Sequence, residues 1–311
     1  MKFAMVFPGQ GSQSVGMLAG YGDAPVIRQT LAEASEVLKQ DLGRLMAEGP
    51  AEELSSTVNT QPVMVTAGIC AWRLWRDLGG AEPAFVAGHS LGEYTALVAA
   101  GALSFSDCLP LVRLRARAMQ EAVPQGKGAM AAILGLDDEA VRALCAEAAG
   151  GEVCEAVNFN APSQVVIAGH ANAVKRAMEA AKTRGAKRAV PLPVSAPFHS
   201  SLMAPAAARL REALSAITVN SPRIPVVHNV DAKSHALPED IRKALVSQAD
   251  HPVRWVECVK VMVAQGVTQV FECGPGKILA PLSKRIADGV QGLALADRAG
   301  LDSGLQAAKG G

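Results

Sequence analysis

The stretch Gly88–Gly92, with the sequence GHSLG, contains the residue types that could do chemistry most directly. It spells GxSxG directly after an apolar run, residues 84–87, a pattern typical of a strand that ends in a sharp turn and leads into a helix. Such a turn raises the serine above the sheet, beside the first free amides of the helix. Ser90 is therefore a candidate nucleophile, which needs a base to remove its proton and donors to bind an oxyanion.

Six histidines are available as the base. His199 stands out because it follows a predicted insert, at the point where the chain returns to the larger unit, and such a junction is expected to border a cleft. His89 precedes the nucleophile and is expected to have a secondary role in the turn. The other four have no supporting context: His170, His228, His235 and His251.

Arg115 is a candidate for substrate recognition. In a predicted helix over residues 106–122, Arg113 and Arg117 are about 40° apart, whereas Arg115 points nearly opposite to them. An arginine on the inward side of a helix is costly unless an anion meets it, and a guanidinium can hold a carboxylate with two parallel hydrogen bonds. The residues themselves leave two interpretations open, a substrate carboxylate and an intramolecular ion pair.

Composition indicates a globular protein with one large domain, or a domain with a smaller insert, because 50% of the 311 residues are hydrophobic and 19% are charged. The net charge of +1 gives no general electrostatic reason to expect nucleic acid or an anionic membrane as a partner. The first apolar segment is too short for a signal peptide, and no run approaches the about 20 residues of a membrane span. We therefore expect a cytoplasmic protein. Six cysteines without CxxC spacing predict buried thiols and no zinc site.

Strands and helices alternate along the chain, which favours a parallel sheet covered by helices. A strand is predicted at 2–7, and helices at 26–48, at 62–78 with proline in the first turn, at 92–100 and at 106–122. Residues 129–194 instead follow a βαββαβ order, which is typical of a ferredoxin-like unit. We expect a large domain formed by 1–126 and 197–311 and an inserted small domain at 127–196. The chain from about Ala299 is predicted to be frayed.

Five ordered blocks resemble the malonyl-CoA:acyl carrier protein transacylases of bacterial fatty acid synthesis, over residues 2 to about 290. These blocks are residues 7–13 (FPGQGSQ), 88–94 (GHSLGEY), 158–160 (NFN), 197–200 (PFHS) and 274–277 (GPGK). The resemblance implies an α/β-hydrolase-like large domain with a ferredoxin-like insert. It also implies an acyltransferase that moves a malonyl group from malonyl-CoA to the phosphopantetheine thiol of acyl carrier protein, without a metal or other cofactor. We expect it to act as a monomer.

The resemblance also implies roles for single residues. Ser90 matches the acylated nucleophile and His199 matches the general base. Gln10 and Leu91 match the positions whose backbone amides form the oxyanion hole, and Gln248 matches the residue whose backbone carbonyl orients the histidine.

Four further residues are expected to contact the substrate. Arg115 aligns with the residue that holds the malonyl carboxylate, and Phe198 resembles a bulky residue that excludes an α-methyl branch. Asn160 follows a predicted strand near the domain junction, where it is either an active-site hydrogen-bond donor or a turn former. His89 is placed in the same group.

Other functions remain open at this point. The same residues could serve a stand-alone acyltransferase of a polyketide synthase or of a malonate decarboxylase. A serine esterase would need an acidic triad member between Ser90 and His199 and an HGGG-like loop, and the sequence lacks that loop. The glycine-rich residues 8–13 lack both the GK[ST] ending of a P-loop and the GxGxxG spacing of a dinucleotide site, which disfavours nucleotide chemistry.

Overall fold

The computed structural model describes residues 2–194 and 196–309, so the expected outer limits of the large domain, residues 1 and 311, lie outside it. Its strands are β1 Phe3–Phe7, β2 Phe85–Gly88, β3 Gly128–Leu134, β4 Cys154–Ala161, β5 Gln164–His170, β6 Arg188–Pro191, β7 Val226–Val227, β8 Gln269–Cys273 and β9 Gln291–Leu295. Its helices are α1 Pro25–Leu38, α2 Leu42–Glu48, α3 Ala51–Ser55, α4 Thr57–Asp77, α5 Gly92–Ala99, α6 Phe105–Glu121, α7 Asp138–Ala149, α8 Ala171–Thr183, α9 Ala204–Ser215, α10 Pro238–Asp250, α11 Trp255–Ala264, α12 Leu279–Ile286 and α13 Arg298–Lys309.

A five-stranded parallel sheet in the order β7-β2-β1-β8-β9 carries most of the helices. The central strand β1 is buried along its whole length. Phe3, Met5 and Phe7 point into a core on one face of the sheet, and Ala4 and Val6 point into a second core on the other. Because both faces are covered, a continuous apolar run is stable in the strand. The predicted helix-covered parallel sheet is confirmed.

A second sheet, antiparallel and four-stranded, has the order β4-β5-β3-β6. Together with α7 and α8 it encloses a separate hydrophobic core. Its elements follow the predicted βαββαβ order in the chain. This sheet and the strands of the parallel sheet share no backbone ladder among the described residues.

Three predictions about helices are wrong. The single helix expected over 26–48 is two, because Lys39 takes a left-handed conformation with φ of 52° and Asp41 begins α2 as an N-cap. The helix predicted from Pro62 begins at Thr57, so Pro62 lies inside it. The end of the chain from about Ala299, which was expected to be frayed, instead forms α13, and the burial of Leu301 holds this helix in place. The elements α12 and β9 were not predicted.

Several chemical features follow from the described residues. None of the helices described at 2–194 and 196–309 is long and apolar enough to cross a membrane. Within the same ranges, no three His, Cys, Asp or Glu side chains are grouped so that they could hold a metal ion. All six cysteines are buried free thiols, as predicted.

Candidate active site

Ser90 lies in a tight turn between β2 and α5, at the carboxyl edge of the parallel sheet. Its φ of 51° is left-handed, which is unusual for a residue with a side chain. A Cβ on Gly88 would lie 1.9 Å from the backbone of Gly92, and a Cβ on Gly92 would lie 2.0 Å from the carbonyl oxygen of Phe7. Both glycines of GxSxG are therefore required for the chain to turn this closely against β1.

The side chain of His199 reaches Ser90. Its Nε2 lies 2.7 Å from Ser90 Oγ, and its Nδ1 lies 2.8 Å from the backbone carbonyl oxygen of Gln248. Because a carbonyl only accepts, Nδ1 carries the hydrogen and Nε2 presents its lone pair to the serine hydroxyl. This tautomer is the one that can remove the serine proton.

The environment keeps His199 neutral. The imidazole is buried, with 3% of the residue exposed. Burial and then the nearby cation of Arg115 lower the pKa of His199 to about 3. At neutral pH the ring is therefore unprotonated and available as a base.

Gln10 and Leu91, the two residues expected to form an oxyanion hole, line the same cavity. Gln10 follows β1 and Leu91 begins α5, and both line the cavity that contains Ser90. Within residues 2–194 and 196–309, neither amide N–H donates to a protein acceptor. A Cβ on Gly9 would lie 2.5 Å from the carbonyl oxygen of His89, so the loop of Gln10 packs directly on the serine turn. Both N–H groups thus lack a partner among the described residues, and Leu91 lies at the positive, N-terminal end of α5.

The arginines of α6 are divided as helical geometry predicts. Arg115 is buried, with 2% exposed, whereas Arg113 is half-buried and Arg117 is exposed. Desolvation lowers the pKa of Arg115 from its usual value. A buried cation of this kind is expected to have a compensating anion.

No carboxylate among the described residues is in direct contact with Arg115, although Glu93 acts on it electrostatically from farther away. Arg115 donates to Gln61 Oε1 at 2.9 Å, to Gln248 Oε1 at 3.1 Å and to Ser90 Oγ at 3.2 Å. Its guanidinium also lies 5.3 Å from the centre of the Tyr94 ring. Among the residues that the structure describes, no carboxylate forms an ion pair with Arg115, and its Nε has no acceptor. The intramolecular ion pair left open by the sequence is not found there.

Of the other residues predicted to contact substrate, two line the cavity and one does not. Phe198 and His89 line the cavity, and Phe198 is 8% exposed. Asn160 is not among the lining residues, but its Oδ1 lies 2.7 Å from His89 Nε2. Asn158, two residues earlier, does line the cavity. Asn160 therefore contacts the cavity-lining residue His89, whose pKa is lowered by burial.

The cavity itself has a volume of about 130 Å³, which is room for a small acyl group. One wall carries the polar groups just described. The apolar part of the lining, the apolar wall, is formed by Met119, Met130, Leu192, Val194 and Phe198.

Sequence reasoning missed a buried polar cluster behind the serine. The carboxylate of Glu93 contacts His228, Asn229 and Gln248, and each of these four residues is fully buried. Nothing in the sequence singles out His228, yet its Nδ1 lies 2.7 Å from Glu93 Oε1. Asn229 also accepts from the Ser90 amide at 2.7 Å. The position of Glu93 in the block 88–94 was the one available signal.

A family model described as an acyl transferase domain matches residues 4–289. The fold and the serine and histidine pair thus fall within a defined class of protein, the acyltransferases.

Similarity to known proteins identifies the family within the acyltransferases. A malonyl CoA-acyl carrier protein transacylase of Escherichia coli (strain K12) is 53% identical over 306 residues, which cover 98% of this chain and 99% of the relative. The chain therefore belongs to the malonyl CoA-acyl carrier protein transacylase family.

Solved structures agree with this. An acyl-carrier-protein S-malonyltransferase from Burkholderia pseudomallei 1710b is similar with a TM-score of 0.97 and 61% identity, covering 98% of this chain and 100% of the other. A structure of a type II PKS acyl-carrier protein in complex with its malonyl-transacylase is similar with a TM-score of 0.97 and 51% identity, covering 99% of this chain and 100% of the other.

Proposed function

We propose that this protein transfers the malonyl group of malonyl-CoA to the phosphopantetheine thiol of acyl carrier protein, through an ester on Ser90, and so supplies malonyl units for fatty acid elongation. The family membership supports the reaction. The assignment of malonyl-CoA as the substrate rests on Arg115. This residue is a buried cation 3.2 Å from Ser90 Oγ, with no carboxylate partner among the described residues. An acyl group that brings its own carboxylate supplies the missing anion.

In the first half-reaction, Ser90 Oγ attacks the thioester carbonyl while His199 Nε2 takes the hydroxyl proton. The carbonyl oxygen becomes an oxyanion and accepts from the amides of Gln10 and Leu91. Donors of this type contribute about 3 kcal/mol each to transition-state stabilisation. The C–S bond then breaks, and the CoA sulfur leaves with the proton from His199.

The second half-reaction repeats these steps with a different nucleophile. His199 takes the proton of the phosphopantetheine thiol, and the sulfur attacks the malonyl-serine ester. The C–O bond breaks and Ser90 recovers its proton from His199. Every proton and electron pair moves between the substrates and these two side chains, so the reaction balances without a redox cofactor.

Arg115 accounts for substrate selection in this proposal. Its guanidinium would hold the malonyl carboxylate with two parallel hydrogen bonds. An acetyl group would leave the buried cation unpaired, which costs affinity in the transition state as well as on binding. We assign Phe198, on the apolar wall, to the exclusion of a methyl branch on the carbon between the two carbonyls.

The domain assignment is also a proposal. We assign 1–126 and 197–311 to an α/β-hydrolase-like domain and 127–196 to a ferredoxin-like insert. Support comes from the cavity, because Met130, Asn158 and Leu192 of the second unit line it together with Ser90 and His199 of the first. Because all of these groups come from one chain, we propose a monomer, which acts in the cytoplasm.

The transfer reaction is tested by incubating the protein with malonyl-CoA and holo acyl carrier protein and following the carrier by intact mass. We expect the carrier to gain a malonyl group. The apo carrier, which lacks the phosphopantetheine thiol, is the matched control and should gain nothing. Free malonate without any malonyl carrier would identify an esterase and contradict the proposal.

The identity of the carrier is a second question for the same assay. The similarity to a malonyl-transacylase solved with a type II PKS acyl-carrier protein favours including a polyketide carrier beside a fatty acid carrier. A kcat/KM higher for the fatty acid carrier supports our assignment. The reverse ratio would assign the protein to polyketide synthesis with the same chemistry.

A further inference from the structure

Glu93 is a buried carboxylate that the proposed mechanism does not use. It lies in the first turn of α5 and is fully buried. Its Oε1 lies 2.7 Å from His228 Nδ1, and its Oε2 accepts from the Asn229 amide at 2.9 Å and from Gln248 Nε2 at 2.9 Å. Burying a carboxylate is unfavourable unless donors surround it, and three donors from two distant segments do so here.

The carboxylate determines which way the Gln248 amide faces. Gln248 Nε2 donates to Glu93 Oε2 and to the carbonyl oxygen of Ser90, both at 2.9 Å. Its Oε1 is therefore left to accept from Arg115 at 3.1 Å. In the flipped amide, the NH₂ group would face the donors of Arg115 and the oxygen would face the carboxylate. Both contacts would be repulsive.

The same glutamine also supports the base. Its backbone carbonyl accepts from His199 Nδ1 at 2.8 Å. On the opposite side of Glu93, Asn229 accepts from the Ser90 amide at 2.7 Å and donates to the carbonyl of Gly88 at 2.8 Å. The Glu93 carboxylate thus forms hydrogen bonds with Gln248 and Asn229, and these two residues contact the nucleophile, the base and the arginine.

We propose that Glu93 is the positioning residue of this site. By fixing Gln248 and Asn229 it holds Ser90, His199 and Arg115 in the arrangement needed for acyl transfer. The inference rests on the proposed function for its substrate, but not for the activation of Ser90.

Glu93→Gln tests the inference with little change of size. The amide replaces one acceptor oxygen by an NH₂ group. If that group faces Gln248, it disfavours the orientation described above. If it faces His228, the imidazole must carry its hydrogen on Nε2, which is buried and has no acceptor among the described residues. Either way the support of the site is disturbed while the core volume is kept.

Two rates are measured in wild type and in Glu93→Gln: acylation by malonyl-CoA, with its KM, and labelling of Ser90 by an alkyl fluorophosphonate. The fluorophosphonate reports on the activation of Ser90 independently of the malonyl carboxylate, since Ser90 Oγ displaces fluoride from phosphorus whatever the natural substrate is. We expect both rates to fall about tenfold to a hundredfold. The KM for malonyl-CoA should rise, because Arg115 loses its fixed partner.

The matched control is Glu272→Gln. Glu272 is equally buried, but its carboxylate accepts from the amides of Ile278 and Ala280. We expect this variant to lose thermal stability while keeping both rates within about twofold of wild type, as for a change outside the site.

Each outcome decides the inference. The inference is overturned if fluorophosphonate labels Glu93→Gln at the wild-type rate. It is also overturned if Glu272→Gln loses as much of both rates as Glu93→Gln does. If Glu93→Gln does not fold, Gln248→Met is measured instead. This variant keeps the backbone carbonyl of residue 248 but loses its side-chain amide. Unchanged rates in it would overturn the inference. If the wild type reacts with fluorophosphonate but not with malonyl-CoA, the proposed function fails while the labelling rates still test Glu93.

Discussion

The Nε2 atom of His199 lies 2.7 Å from the Oγ atom of Ser90, although the two residues are 109 positions apart in the chain. Both residues have a positive φ, 64° for His199 and 51° for Ser90. A non-glycine residue in this region costs about 1–3 kcal/mol and persists only where its surroundings hold it. The pair therefore depends on its supports, which are the close packing of the serine turn and the carbonyl of Gln248.

The packing of the serine turn predicts the effect of Gly88→Ala. Its Cβ would lie 1.9 Å from the backbone of Gly92, so β2 and α5 must separate. We expect a loss of about 3 kcal/mol or more in the free energy of unfolding, measured by urea denaturation. Gly43→Ala is the control, since Gly43 lies in α2 and a Cβ there meets atoms at ordinary distances of 3.5 Å and more. Equal stability of Gly88→Ala and wild type would show that the turn is not tightly packed.

Burial of neutral His199 predicts how stability depends on pH. Its folded pKa of about 3 lies below the unfolded value of 6.5. Between these pH values the unfolded chain binds a proton on His199 that the folded chain does not bind. The contribution of His199 to the free energy of unfolding is therefore complete above about pH 6.5 and is lost as the pH falls towards 3. The free energy of unfolding should drop by about 1.4 kcal/mol per pH unit more in wild type than in His199→Asn. Parallel curves of the two proteins over this range, from thermal or urea unfolding, would contradict the assignment of a buried neutral base.

The lack of a carboxylate partner predicts the selectivity of Arg115→Ala. Loss of a charge-assisted pair of hydrogen bonds, worth about 1.5–3 kcal/mol, should slow acylation by malonyl-CoA roughly tenfold to a hundredfold. Acylation by acetyl-CoA should fall less, so the ratio of the two rates moves towards acetyl. Arg113→Ala, in the same helix, should leave the ratio unchanged. An equal loss for both donors in Arg115→Ala would identify a structural arginine.

The position of Phe198 predicts a change in tolerance for a branched substrate. Phe198→Ala enlarges the apolar wall of the cavity. Since a methyl group is worth about 1–3 kcal/mol in such a pocket, acylation by methylmalonyl-CoA relative to malonyl-CoA should rise about tenfold or more. Competition between the two donors, read by mass at Ser90, measures the ratio. A ratio equal to that of wild type would remove Phe198 from substrate selection.

Local patterns predicted the parts of the structure that depend on neighbouring residues. The apolar run before Gly88 indicated β2, GxSxG indicated the turn at Ser90, and the helical spacing of three arginines indicated that Arg115 faces inward. Each inference used residues within a few positions of one another. Such patterns are fixed by the geometry of a single strand, turn or helix.

Contacts between distant segments could not be predicted in this way. Glu93 meets His228 across 135 positions and Gln248 across 155, and no local pattern links them. The end of the chain shows the same limit. The chain from about Ala299 was predicted to be frayed, yet α13 forms because Leu301 is buried in the core of the parallel sheet. At the end of the chain, tertiary packing overrides local preference.

The central claim is that Ser90 accepts a malonyl group, and intact mass after incubation with malonyl-CoA alone tests it most directly. Acetyl-CoA in a parallel incubation and the Ser90→Ala variant are the controls. The account predicts a malonyl adduct on the wild-type protein, little adduct from acetyl-CoA and none on Ser90→Ala. A wild-type protein that gains no malonyl group, or a Ser90→Ala variant that still gains one, would contradict it.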